Sequence, residues 1–323
     1  MLGEFLNPYY FQVASFVLIN IMLGISIYVT LSTGQLSLGN AGFMAIGAYT
    51  TALLTVDYDV PLVVGVIAGT LLAGIFGMLV GIPALRLHGV FLAIATLGLG
   101  EIIRVVLVNA DDITNGSIGI SGIPGIGDVL LERFESWGFE PDMIGLANNE
   151  FMFLTNFFVL LIVTIGIIWF FVRQNHSRIG RAFAAIRMDE EAAKSMGINI
   201  TYYKVLSFAQ SAIVAGFAGA LYAHVLSFIS PGEFSYHRAI EILIYSVFGG
   251  SEVIGGAIFG GFFLTVLPEA LRFISDYRYM LYGIILVALM AYRPQGIIDV
   301  RLIRRVRAFW HRRKVNEDDF KGE

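Results

Sequence analysis

The chain has 323 residues, of which 57% are apolar and 14% charged, with a formal net charge of −4 and no cysteine; its mean hydropathy is +0.75. Soluble chains carry about 25% charged residues, so this composition excludes a water-soluble enzyme, and the missing cysteine excludes disulfides, thiol catalysis and Cys-ligated zinc. Apolar runs longer than about 18 residues and the absence of barrel-type alternation predict an all-α, polytopic helical membrane protein.

The first apolar run, 9–31, lacks a basic leader and a small-residue cleavage site, so a retained span is expected. The second, 35–56, opens on GQLSLGNAGFMAIG (34–47) and sets Gln35, Ser37 and Asn40 among glycines. Such residues accommodate an interrupted helix, with its freed backbone groups met inside the protein, and make these three candidate pathway residues. In the third, 60–84, Gly65, Gly69, Ala73, Gly77 and Gly81 recur at every fourth position. Residues i and i+4 stack on one face, so this seam is expected to receive a closely packed second helix; contact with a substrate is its other possible use. On the fourth run, 88–110, Glu101 and Arg104 share a helix face. Charges within spans face a protein interior or a watery cavity, which predicts an internal pair, with a gating or pathway role as the alternative.

The 111–152 loop is acidic, with Asp111, Asp112, Asp128, Glu132, Glu135, Glu140, Asp142 and Glu150 against Arg133. Within it, SIGISGIPGIG (117–127) is turn-rich and cannot continue a helix. Leu130, Leu131, Phe134 and Trp137 then fall near one side of a short helix, either interfacial or plainly amphipathic. After the span 153–173 comes a basic connection, 174–204, containing SRIGRAFAAIRMDEEAAKSMG (177–197). This charged, helix-patterned island belongs to neither neighbouring span. Asp189 and Glu190 suit the start of a helix beginning near Met188, while Lys194 and Gly197 suit its end, leaving Ala192, Ala193 and Met196 as a small contact face. A short helix held at the membrane surface is a place for a partner protein to push, which suggests a transporter subunit driven from outside this chain.

The span 205–229 carries a shorter seam, Ala212, Gly216 and Ala220. In 238–250, Glu241 follows His237 and Arg238, which suggests the outer interface or a pathway position. The span 254–272 is opened by GGSEVIGGAIFG (249–260), loosely similar to the 34–47 pattern, and contains Glu269 and Arg272, expected as a rim pair. The run 278–292 is the last. Two of these runs are short, so tilted or broken helices are expected and the count is about eight to ten crossings. Basic residues stay cytoplasmic, which places 174–204 and the 301–323 tail, basic then acidic, inside and the acidic loop outside. The amino terminus then lies outside and the carboxyl terminus inside, with 1–300 forming a single transmembrane domain.

The sequence has no GxxxxGK[ST] loop, HExxH pair or CxxC, and the histidines lack ligand spacing. The basic tail is economically a contact with anionic membrane lipid rather than with nucleic acid. Four runs in order, GQLSLGNAGFMAIGAYTTALL (34–54), HGVFLAIATLGLGEIIRVVLVN (88–109), GRAFAAIRMDEEAAKSMGI (180–198) and FGGSEVIGGAIFG (248–260) with YRPQGI (292–297), resemble the LivM-type permeases of branched-chain amino acid ABC importers. The resemblance covers about 20–297 and implies a type II ABC importer permease-like fold in a prokaryotic cytoplasmic (inner) membrane. It further implies a LivH-like second permease, two cytoplasmic ABC ATPase subunits and an extracytoplasmic substrate-binding protein. ATP and Mg would be used by the ATPases, with no cofactor bound by this chain. Glu191-Ala192-Ala193 followed by Gly197 looks like the EAA-type segment that docks on the ATPase, which makes Arg187, Asp189, Glu190, Glu191, Ala192, Ala193 and Gly197 the expected coupling residues. Leucine, isoleucine and valine are the implied cargo. Urea or short amides are the alternative cargo, and an ion-coupled secondary transporter using Glu101, Arg104 and Glu241 is the alternative mechanism.

Overall fold

Inside a bilayer every backbone donor and acceptor must be satisfied within the segment, so the apolar runs have little choice but to be helical. The computed structural model describes residues 8–84, 86–136, 147–272, 278–292 and 296–298. Its helices are α1 (Pro8–Leu31), α2 (Asn40–Val56), α3 (Leu62–Ala84), α4 (Val90–Asn109), the single turn α5 (Asp111–Thr114), α6 (Ile126–Ser136) and α7 (Asn148–Asn175). They continue as α8 (Arg178–Met188), α9 (Glu190–Ser195), α10 (Ile200–Leu226), the 3-10 turn η1 (Pro231–Phe234), α11 (Tyr236–Gly249), α12 (Ile254–Ala270) and α13 (Arg278–Tyr292). Each expected span coincides with one of these helices to within a few residues.

Five helices, α1, α3, α4, α7 and α10, are long and apolar enough to cross a membrane, while α2 and α12 are shorter apolar helices. The protein is an all-α, multi-pass helical membrane protein. Among the described residues one small sheet interrupts the helices: β1 (Ile120–Ser121) pairs antiparallel with β2 (Phe228–Ile229), Ile120 opposite Ile229. It ties the turn-rich 117–127 loop to the connection between α10 and η1.

The centre is α1, with 83% of its apolar window buried against 17% for α7. Ile19, Met22, Leu23, Ile25 and Ile27 of α1 are fully enclosed by α7, α10, α11 and α12, whereas α4 and α7 turn Phe91, Ile94, Ile162, Ile165 and Trp169 outward. In a membrane protein that apolar exterior suits lipid.

Close backbone approach holds the inner helices together. The α3 seam faces two neighbours in succession. A Cβ added to Gly65 would come 3.0 Å from Thr51 Oγ1, and one on Gly69 would come 2.7 Å from the Gly47 carbonyl oxygen, both on α2. Farther along, Ala73 occupies the space beside Gly216, a Cβ added to Gly77 would meet Ala212, and one on Gly81 would come 3.3 Å from Phe208, all three partners lying on α10. A Cβ added to Gly42 of α2 would likewise come 2.9 Å from the Gly100 Cα on α4. Helix α6 packs on α7 through Phe134 and Phe151, whose ring centroids are 5.9 Å apart. Trp137, Glu140, Asp142, Arg293 and the 301–323 tail lie outside the described residues.

Candidate functional site: the charged elbow and a polar flank

The polar residues of the 34–47 run lie in an irregular stretch between α1 and α2. Gly34 takes φ +77°, a conformation open to glycine without a Cβ penalty, and α2 starts at Asn40 rather than near residue 35. Gln35, Ser37 and Asn40 are all buried. Gln35 Oε1 accepts from Ser207 Oγ at 2.9 Å and from Thr33 Oγ1 at 3.1 Å. Asn40 Nδ2 donates to Ser26 Oγ at 2.7 Å and Ser211 Oγ at 2.9 Å. These groups join α1 and α10 across the break.

The 177–197 island forms two helices meeting at an elbow, where one helix from near Met188 was expected. Ser177 caps α8 by accepting from the Ile179 amide at 3.1 Å. At Asp189 the backbone turns extended, with φ −159° and ψ 113°, and the carboxylate accepts from the Ala192 amide at 3.0 Å to cap α9. A side chain that bonds a nearby amide competes with helix continuation, which is why the pattern breaks there. Gly197, at φ +81° with nothing within 4 Å of an added Cβ, ends the elbow.

The side chains of the elbow divide by direction. Met188 and Met196 are 87% and 83% exposed, and Glu191, Ala192 and Gly197 are exposed with them. Ala193 is buried, so the outward face is Met188, Ala192 and Met196, and the expectation of Ala193 in that face is corrected. Arg187 and Glu190 turn inward. Arg187 donates to the Ser251 carbonyl oxygen at 3.3 Å and lies 3.6 Å from Glu252 Oε1, while its Cα lies 3.6 Å from where a Gly34 Cβ would be. Both glycine-rich patterns, 34–47 and 249–260, therefore converge on this one residue. Glu190 pairs with Lys204, a buried cation at the start of α10, and its other oxygen lies 3.7 Å from His88 Nε2 ahead of α4.

A second polar region flanks α4 and α11, which adjoin each other and η1. Arg104 Nε donates to Glu101 Oε1 at 2.7 Å. Their side chains are 27% and 36% exposed, and Glu101 Oε2 is buried without a hydrogen-bond partner among the described residues. Glu241 accepts from Arg238 at 2.6 Å, and the same guanidinium donates to Asn20 Oδ1 at 2.8 Å. Asn20 in turn donates to Thr265 Oγ1 at 2.9 Å, linking α1, α11 and α12. Glu269 and Arg272 approach to 3.3 Å, with the Arg272 guanidinium 4.8 Å from the Tyr9 ring centroid.

Three connectors were not singled out from the sequence. Lys204 looked like one more basic residue of the inner connection, and Asn20 and His224 like isolated polar residues in apolar runs. His224 is buried, with Nδ1 2.7 Å from the Pro124 carbonyl oxygen and Nε2 3.1 Å from Thr51 Oγ1, so it pins the 117–127 loop onto α2. A polar side chain in hydrocarbon needs a partner, and that was the available signal.

Among the described residues no three His, Cys, Asp or Glu side chains gather to hold a metal. The helices, the charged elbow and the polar interior are those of a multi-pass membrane protein, and the comparisons with known sequences make it a transport permease. Residues 9–290 match the sequence profile of the branched-chain amino acid transport system / permease component family, and the chain belongs to that family. It is 35% identical over 298 residues to the high-affinity branched-chain amino acid transport system permease protein LivM of Escherichia coli K12, covering 90% of this chain and 70% of that protein. The Salmonella typhimurium LivM matches with the same identity and coverage. The galactofuranose transporter permease protein YtfT of Escherichia coli K12 is 25% identical over 238 residues, 73% of this chain and 62% of that one. No solved structure matches the chain.

Proposed function

We propose that this protein is the LivM-type permease of an ATP-driven importer that moves leucine, isoleucine and valine across the prokaryotic cytoplasmic membrane. It works with a LivH-like second permease, two cytoplasmic ATPases and an extracytoplasmic binding protein, and its carboxyl terminus is cytoplasmic. The observation that carries this reading is the elbow, which holds two bare methionines outward while its charged residues grip the spans behind it. Exposed Met side chains on either side of a tethered six-residue helix are an adaptable apolar contact. Met188, Ala192 and Met196 meet the ATPase. Asp189 and Gly197 shape the two ends of α9, and Glu191 lies on its exposed side.

Arg187 and Glu190 carry the push inward. A displacement of the elbow is felt at α10 and at the α3–α4 connection through Glu190 of α9, which meets Lys204 and His88, and at the α11–α12 turn through Arg187 of α8. The Lys204 link is a close charge pair with a buried cation and is the main path for that movement; the contacts of His88 and of Arg187 with Glu252 are longer and more exposed.

The test is reconstitution of the two permeases and two ATPases in proteoliposomes, with the binding protein added. ATP-dependent leucine uptake competed by valine but not urea is expected, and competition by urea with no effect of valine would transfer the protein to amide transport. The cysteine-free chain lets Met196→Cys be crosslinked alone; capture of the ATPase is expected, and capture of none from either Met188→Cys or Met196→Cys would remove the coupling assignment. Uptake driven by an ion gradient without ATPases would establish a secondary transporter instead.

A further inference from the structure

The elbow makes no use of the charged groups around Arg238. Between η1, α11 and α12 lies a cavity of about 590 Å³ lined by Glu233, Arg238 and Glu241 together with Ile240, Ile244 and Leu264. Charges of both signs thus share a space with branched aliphatic side chains. Small-molecule sites commonly combine an apolar lining with a few placed polar groups.

The charged groups differ in how far they are already satisfied. Arg238 is anchored from behind by Asn20 and by the Tyr222 ring, whose centroid is 6.0 Å from the guanidinium carbon. Its bond to Glu241 is the exchangeable one, because the Glu241 side chain is 45% exposed. Glu233, on η1 outside the spanning helices, has the opposite problem. Its Oε2 is buried and has no hydrogen-bond donor among the described residues. Burial raises its carboxyl pKa above the ordinary value, offset in part by the Tyr222 hydroxyl and Arg238. A buried acceptor without a donor is costly, and an incoming ammonium relieves that cost.

We propose that this cavity is a transit subsite for a zwitterionic amino acid: Glu233 receives the α-ammonium, Arg238 receives the α-carboxylate in exchange for Glu241, and Ile240, Ile244 and Leu264 accommodate the aliphatic side chain. The inference rests on the amino-acid cargo of the proposed function and adds the residues that would hold it. An uncharged amide or urea can donate to Glu233 but has no carboxylate to replace Glu241 at Arg238, so the cavity selects against the alternative cargo at the guanidinium.

The neighbouring Gly232 supplies a reporter. It is exposed, and a Cβ added there would meet only Ser230 Oγ, at 3.8 Å. In the assembled complex carrying Gly232→Cys, the alkylation rate of the single thiol is measured with L-leucine, with 4-methylpentanoate, which lacks the ammonium, and with 3-methylbutylamine, which lacks the carboxylate. Leucine is expected to protect the thiol, and the two analogues to protect only at far higher concentration. Adding Glu233→Gln is expected to raise the leucine concentration for half-protection by about ten- to a hundredfold, the effect of losing one charge-assisted hydrogen bond. Binding-protein-stimulated ATP hydrolysis confirms that the variant complex is assembled, and the analogue comparison stands without that variant. Equal protection by 4-methylpentanoate and leucine overturns the proposal, as does unchanged half-protection in an assembled Glu233→Gln complex. Leucine uptake is measured beside these: uptake without protection rejects the subsite and leaves the transporter assignment standing, whereas absence of uptake in the unmodified complex rejects the assignment itself.

Discussion

The interior around α2, α3 and α10 and the flank formed by α4 and α11 are built on different principles. The interior is zipped by glycines and alanines, with backbone against backbone and no charge at the seam. The flank is held by Arg–Glu pairs whose side chains remain partly exposed. Backbone contacts have no rotamer to change, so the interior is suited to move as a rigid block. Paired side chains can exchange partners, so the flank is where a transporter can admit a charged guest. The elbow joins the two, gripping α10 through Lys204 and the α11–α12 turn through Arg187.

The sharpest way to break this contrast is to fill the zipper. Gly69→Leu puts a branched side chain against the Gly47 carbonyl oxygen, and overpacking of that kind costs about 3 kcal/mol or more where the neighbour is backbone. Loss of assembled permease is expected, measured as folded membrane yield. Normal yield with altered preference between leucine and urea would move the seam into the pathway.

The next largest effect is expected at the flank's anchored cation. Arg238→Met strips partners from Glu241 and Asn20. Breaking a fully buried pair costs about 3–5 kcal/mol, but Glu241 is 45% exposed, so about 2 kcal/mol is expected. Thermal unfolding of the purified complex reads this loss.

Cutting the grip of the elbow should separate coupling from folding. Glu190→Gln leaves Lys204 without its carboxylate, at a cost of about 1–2 kcal/mol, and ATP hydrolysis should continue while uptake per ATP falls. Uptake falling only in proportion to the amount of assembled complex would mean that the bond is structural alone.

The smallest effect is expected for Glu101→Gln and Arg104→Met. The single changes cost about 0.5–1 kcal/mol at this exposure, and the double variant should recover part of that. A double variant with native yield but poor uptake would give the pair a gating role and make the flank more uniform than Arg238 alone suggests.

Much of this architecture was legible in the residues. Apolar runs of the right length became helices at the expected places because lipid leaves the backbone no alternative. The four-residue spacing of Gly65 to Gly81 identified a smooth face, but not that it changes partner from α2 to α10 along its length. Glu101–Arg104 and Arg238–Glu241 have identical spacing, yet the first closes on itself and the second extends to Asn20, a residue 218 positions away. Spacing measures reach on one helix and contains nothing about the neighbouring helix.

The elbow draws the same line within a few residues. Asp189 capping α9 and Gly197 ending it are local chemistry, decided by a carboxylate three positions before an amide and by a glycine free to take positive φ. The sequence alone therefore determined that a short charged helix would stand between two spans. That Arg187, Glu190 and Ala193 turn inward while Met188 and Met196 stand bare depended on Ser251, Lys204 and His88. Those partners are distant in the chain, and only the packing of the spans brings them beneath the elbow.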